Sequence, residues 1–108
     1  MSIGQKISIE KWNSEVDGDL NAENMEKKLR LQRYNFTQYC FLPGTKFPDH
    51  THEVSKKDAI ISGQFLFGMY GQTVVLEPGD IVDVPKRTVH HASVVGKQAV
   101  TFYDSTKC

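Results

Sequence analysis

No sign of charge dominates this chain. Thirteen lysines and arginines balance thirteen aspartates and glutamates over 108 residues, leaving a formal net charge of zero. A nucleic-acid-binding domain normally carries a basic face, so the balance argues against that class of partner. It also leaves little colloidal repulsion, which favours self-association. No apolar run reaches the length of a membrane span, and the opening Met1-Ser2-Ile3-Gly4-Gln5-Lys6 lacks the apolar stretch of a secretory signal. The cytoplasm is the expected compartment. Cysteine is scarce: Cys40 and Cys108 cannot make a disulfide framework and read as free thiols, Cys40 as a core filler within a strand. Internal repeats and low-complexity segments are absent, and the length suits one domain with a single modest core.

Helical periodicity is confined to one place. From Ala22 to about Arg30, Met25 and Leu29 sit four apart among Glu26, Lys27, Lys28 and Arg30, which predicts one short amphipathic helix with a solvated basic face. Before it, Lys6–Ile9 alternates as an edge strand, and Gly18 between two aspartates marks a loop. After it the texture is that of strands. Leu31–Leu42 is rich in Tyr, Phe, Thr and Cys, and turn residues then recur every eight to twelve positions, at Pro43-Gly44, Ser62-Gly63, Tyr70-Gly71, Pro78-Gly79, Pro85 and Gly96. Pro78-Gly79 has the residues of a type II turn. The runs between them predict an all-β sandwich or barrel, with no helix left for parallel crossovers. Residues 1–30 are expected to contribute the edge strand and helix to the same domain, and residues 31–108 the β-structure.

The chemistry gathers on histidine. His50 and His52 stand two apart, and on a strand two such side chains project from one face, which is half of a first-row transition-metal site. His-x-His alone is a weak signal. Here Gly44 precedes it by six residues, Gly63 follows, and Gly79, Pro85 and His90 form a second spaced group. Together the two groups resemble the paired motifs of the cupins. The resemblance covers residues 44–94, and the 15 residues between the motifs suit a tight hairpin. It implies a double-stranded β-helix, or jelly-roll barrel, that carries one divalent metal. It further implies that His50, His52 and His90 are the metal's imidazoles, with His90 preferred to His91 by the count from Gly79. His91, on the opposite face with Ser93, would lie at the surface or between sheets. Many single-domain cupins pair, so a homodimer is expected by resemblance.

Three slots depart from the family pattern. Lys56 (or Lys57, allowing one gap) stands where the family has a ligating glutamate, Arg87 replaces a glycine, and Val94 an asparagine. A charged ammonium cannot ligate, and burial beside a cation lowers its pKa. Lys56, Asp58 and Ile60 share a face by alternation, so Asp58 is expected to pair with Lys56 or to approach the metal itself. Arg87 is either an exposed arginine or a clamp for a carboxylate or phosphate on the substrate. Tyr34, Phe36, Tyr39, Phe65, Phe67 and Phe102 read mainly as core and interface aromatics, one or two of them lining a pocket.

The reading that follows is a small metal-binding cupin enzyme of dioxygenase, isomerase or lyase type. It would act on a small polar or anionic molecule with Fe, Zn, Ni, Cu or Mn, with Lys56 and Asp58 as catalytic groups. The alternative is a non-catalytic anion-binding or sensor cupin in which Lys56 is the recognition charge. A structural partner domain has no exposed apolar helix or tail to support it.

Overall fold

The computed structural model describes residues 4–108. Nine strands and two helices follow the order β1 (Ile9–Glu10), α1 (Ser14–Asp17), α2 (Ala22–Leu31), β2 (Tyr34–Phe41), β3 (Lys46–His50), β4 (Lys56–Ser62), β5 (Gln64–Met69), β6 (Gln72–Leu76), β7 (Ile81–Val84), β8 (His90–Val95) and β9 (Val100–Lys107). They form two antiparallel sheets, β1-β7-β4-β9-β2 and β3-β8-β5-β6. Neither sheet closes on itself. The expected barrel is therefore not the architecture: β1 and β2 bound one open sheet, β3 and β6 the other, and the core lies between the two.

A second correction concerns the helices, since there are two rather than one. Helix α1 is a single turn capped by Asn13, whose side chain accepts from the Glu15 amide at 3.1 Å. One turn is too short for hydrophobic periodicity to show in sequence. Helix α2 begins at Asn21, whose side chain caps the Asn24 amide at 2.8 Å. Met25 and Leu29 are fully buried against the outer face of the five-stranded sheet, packing on Ala59, Ile81 and Tyr103. Each contributes about 1.5–3 kcal/mol by burial. The basic face of α2 is not uniformly solvated: Lys28 is buried between Asp17 at 2.7 Å and Glu10 at 3.1 Å.

Alternation along β4 sets the two layers. Ile60 joins the core between the sheets, whereas Ala59 faces α2. The Lys57 ammonium reaches Gln32 at 2.9 Å on the helix side. Lys56 and Asp58 therefore share the inner face with Ile60, and Lys56 rather than Lys57 fills the glutamate slot. The expected edge strand is shorter than Lys6–Ile9: only Ile9–Glu10 pairs, with Ile81 and Val82 of β7. Cys40 is not a core filler. It is exposed, as is Cys108.

Turns fall where the punctuation residues predict. The Asp80 amide donates to the Glu77 carbonyl at 2.9 Å, closing the Pro78-Gly79 turn with Gly79 at φ 95°. Tyr70 and Gly71 both have positive φ and join β5 to β6 in the manner of a type I′ hairpin. Gly63, between β4 and β5, has φ 82°, and a Cβ there would come within 2.4 Å of the Ala99 carbonyl oxygen. Only glycine fits.

Candidate metal centre

Two strand ends and one irregularity assemble the histidines. His50 closes β3, His90 opens β8, and the two are register partners. His52 lies just beyond β3 rather than on it. Between Phe47 (opposite Ala92) and His50 (opposite His90) the register shifts, so β3 carries one residue more than β8. Simple alternation would put residues 47 and 50 on opposite faces. The bulge at Pro48-Asp49 turns both inward, and proline is suited to it because no ladder hydrogen bond is lost there.

The three rings converge. Centroids lie 4.8 Å apart for His50–His52, 4.2 Å for His50–His90 and 5.0 Å for His52–His90. One nitrogen from each lies within 4.8 Å of the others, and this is the metal-capable cluster among the described residues. Backbone carbonyls orient two of the rings: His50 Nδ1 meets Pro48 O at 2.7 Å and His90 Nδ1 meets Thr88 O at 2.9 Å. A carbonyl only accepts, so both Nδ1 atoms carry the proton and both Nε2 lone pairs are left for a ligand. Burial lowers the pKa of His52, assisted by Lys56 and the other two histidines. Burial also lowers that of His90, against a hydrogen bond to Thr88 that raises it. Neutral, oriented imidazoles are what a divalent transition metal requires, so the donor set fits such an ion.

The histidines line a cavity of about 210 Å³ between the sheets, together with Tyr39, Phe41, Phe47, Asp58, Phe65, Phe67, Ala92, Phe102 and Asp104. Four of the six aromatics singled out in the sequence line it. Tyr34 and Phe36 instead pack on the helix side. The sequence pattern does not single out Asp104, the second carboxylate of the site. In register with Asp58 across the β4–β9 pair, it takes the Lys56 ammonium at 3.0 Å through Oδ2. The expected Lys56–Asp58 pair is replaced by this one. Asp104 Oδ1 is buried without a hydrogen-bond partner. Asp58 has its pKa pushed up to about 7, first by burial and then by the Asp104 charge, with Lys56 opposing. The missed signal was alternation: Phe102 faces the core, so residue 104 does too.

Arg87 is not brought to the histidines. It is exposed, its Nε lies 3.8 Å from Glu53, and it borders a separate open depression with Asp49 and His91. His91 is at the surface, 3.3 Å from Asp49, on the face opposite the cavity. The tight turn of the family glycine nevertheless survives, because Arg87 adopts φ 57° and its amide donates to the His52 carbonyl at 2.7 Å. An exposed ion pair at that distance offsets little of the strain. Arg87→Gly is expected to raise the unfolding free energy by about 0.5–1 kcal/mol, the left-handed strain relieved less glycine's entropic cost. Urea denaturation of the metal-free protein checks this, and a less stable variant would refute it.

The cupin domain family model matches residues 37–106. Among solved structures, a cupin superfamily protein from Desulfitobacterium hafniense is 20% identical with a TM-score of 0.60, over 69% of this chain and 67% of that one. A DUF861 family protein from Thermotoga maritima is 19% identical at a TM-score of 0.60, over 94% of this chain and 99% of that one. A salicylate 1,2-dioxygenase mutant from Pseudoaminobacter salicylatoxidans, in complex with gentisate, is 22% identical at a TM-score of 0.59, over 68% of this chain and 20% of that one. No curated protein sequence matches. No helix among the described residues is long and apolar enough to cross a membrane. With its double-sheet fold, its three-histidine cluster and a family match over most of its length, the chain belongs to the cupin domain family.

Proposed function

We propose that this cupin is a metal-dependent enzyme acting on a small molecule in the cavity between its sheets. The observation that carries the reading is the convergence of three imidazoles, two of them oriented by backbone carbonyls, on a cavity with a carboxyl pair in its wall. His50, His52 and His90 would hold one divalent ion, whether Fe, Zn, Ni, Cu or Mn. Such an ion supplies Lewis acidity and, if redox-active, access to dioxygen.

The chain's own residues supply the acid–base part. In the metal-free chain burial pushes the Asp58 carboxyl up to about 7, and it lines the cavity, so it is placed to give or take a proton at its carboxyl oxygen. Lys56 acts through Asp104: the ion pair holds that carboxylate beside Asp58, where the Asp104 charge favours the protonated form and the Lys56 charge opposes it. Phe65, Phe67 and Phe102 exclude water from the reacting end. Dioxygenase, isomerase and lyase chemistry all use such a centre, and the gentisate-bound dioxygenase shares the fold. A role for Arg87 would have to be exercised from outside this cavity.

The anion-sensor reading is disfavoured by the position of Lys56, whose ammonium is committed to Asp104 and does not line the cavity. Asp58→Asn tests the enzyme reading. With a turnover assay established by screening the metal-loaded protein, the variant is expected to lose about 10²-fold or more in kcat while holding near one metal per chain. Unchanged kcat would remove Asp58 from the chemistry.

A further inference from the structure

Of the three histidines, His52 is the one the strands do not hold. It lies past the end of β3. Unlike His50 and His90, its ring makes no hydrogen bond among the described residues. A side chain on an irregular segment keeps backbone as well as rotamer freedom, and ordering it for a ligand costs both. Its place must be set from outside the sheet.

Three consecutive residues of the turn between β7 and β8 make the contacts that do so. The Lys86 amide donates to Ser55 Oγ at 3.0 Å. The Arg87 amide donates to the His52 carbonyl at 2.7 Å. The Thr88 carbonyl accepts from His90 Nδ1 at 2.9 Å. One short turn thus grips the main chain of one histidine and the ring of another. Between its donating and accepting ends stands Arg87, at φ 57°. That conformation is uncommon for any residue with a Cβ and an outlier for a β-branched one. The guanidinium does not account for it, being exposed and 3.8 Å from Glu53. Backbone strain kept at such a point is a mark of geometry retained for a site.

We propose that residues 86–88 are a backbone brace that sets His52 against His90, with Arg87 and Ser55 as positioning residues for the metal. Arg87 acts through its left-handed main chain, and Ser55 through the hydroxyl oxygen that takes the Lys86 amide. The inference rests on the reading of the three histidines as the metal's ligands.

Arg87→Val and Arg87→Gly both remove the guanidinium, but only glycine keeps the left-handed turn without strain. Chelated samples of each are titrated with zinc against a chromogenic competitor, and with cobalt(II) for its visible spectrum. Unmodified protein and His52→Ala are titrated beside them. Arg87→Val is expected to bind zinc about tenfold or more weakly than Arg87→Gly, the lower end of what a lost orienting partner costs a metal site. Its cobalt spectrum should match that of His52→Ala, a change that a role in stability alone would not produce. Equal zinc affinities and identical cobalt spectra in the two Arg87 variants overturn the proposal. Should metal-free Arg87→Val lose the amide dispersion of a folded chain, Ser55→Ala decides in its place. Its zinc affinity is expected to fall about two- to tenfold, the worth of one hydrogen bond, and no fall overturns the brace. The two readings fail separately. No zinc uptake by unmodified protein removes the metal centre and the brace with it, whereas uptake that depends on His52 but not on Arg87 or Ser55 removes the brace alone.

Discussion

Chelated protein titrated with zinc is expected to take up one ion per chain, and His50→Ala and His90→Ala are expected to take up none. The contrast should be largest in stability. A ligand at 1,000 times its dissociation constant adds about 4 kcal/mol to the folded state, so unmodified protein gains several degrees in Tm while both variants stay where they were. The two substitutions differ in their metal-free cost. His50 is half-buried and its one hydrogen bond is local, to Pro48 O, so its loss costs about 1 kcal/mol or less. His90 is buried and stacks on Phe67 at 5.8 Å, so His90→Ala also opens a cavity and costs more. His50→Ala is therefore the cleaner probe. Thermal unfolding with and without zinc, beside elemental analysis, reads both quantities. Equal zinc stabilisation in His50→Ala would remove the three-histidine centre.

That experiment leans on a feature mutation cannot easily erase. The tautomers of His50 and His90 are fixed by the main-chain carbonyls of Pro48 and Thr88 rather than by side chains. Many metal-binding histidines are oriented by a carboxylate, and losing such a partner typically costs 10- to 100-fold in affinity. Here the orienting groups belong to the turn and bulge that build the site. Fold and donor geometry are consequently one property.

How far the sequence reveals this depends on whether the information is local. The histidine triad is legible because His50-Thr51-His52 and the Gly79…His90 spacing are short-range patterns, and the turns are legible because Pro-Gly and Tyr-Gly punctuate the chain. The bulge at Pro48-Asp49 is not, although it brings both Phe47 and His50 into the cavity. Alternation counted straight through β3 gives one or the other. Asp104 is hidden for another reason: its partner Lys56 lies 48 positions earlier, and the β4–β9 register alone places them together. Alternation alone puts Asp58 beside Lys56, two positions away, yet the ammonium takes the Asp104 carboxylate from the neighbouring strand. The closed barrel is an expectation of the family resemblance: strand spacing allows a sandwich as readily, because it specifies strands and turns but not whether the last strand meets the first.

Asp58 controls a pH dependence opposite to that of an ordinary acid. Its folded pKa is raised from 3.8 to about 7, so between those values the folded chain holds a proton that the unfolded chain has released. Stability from this group is therefore full below about pH 4 and is lost as pH rises through 7, with a ceiling of about 4 kcal/mol for three pKa units. His52 and His90 act the other way. Their lowered pKa values mean that the unfolded chain takes up protons first, so their contribution is present above about pH 6.5 and is lost on acidification. In the metal-free protein the two slopes oppose each other below about pH 6.5. Asp58→Asn removes one of them. The variant is expected to gain a few kcal/mol at pH 8, to gain little at pH 4, and to grow more stable with rising pH where unmodified protein is flat or declining. Urea denaturation of chelated samples at half-unit steps from pH 4 to 8 gives both curves. Parallel curves would show that Asp58 ionises in the folded protein as it does in the unfolded chain. Its part in proton transfer would then fall with it, because a carboxyl that is fully ionised at neutral pH has no proton to give.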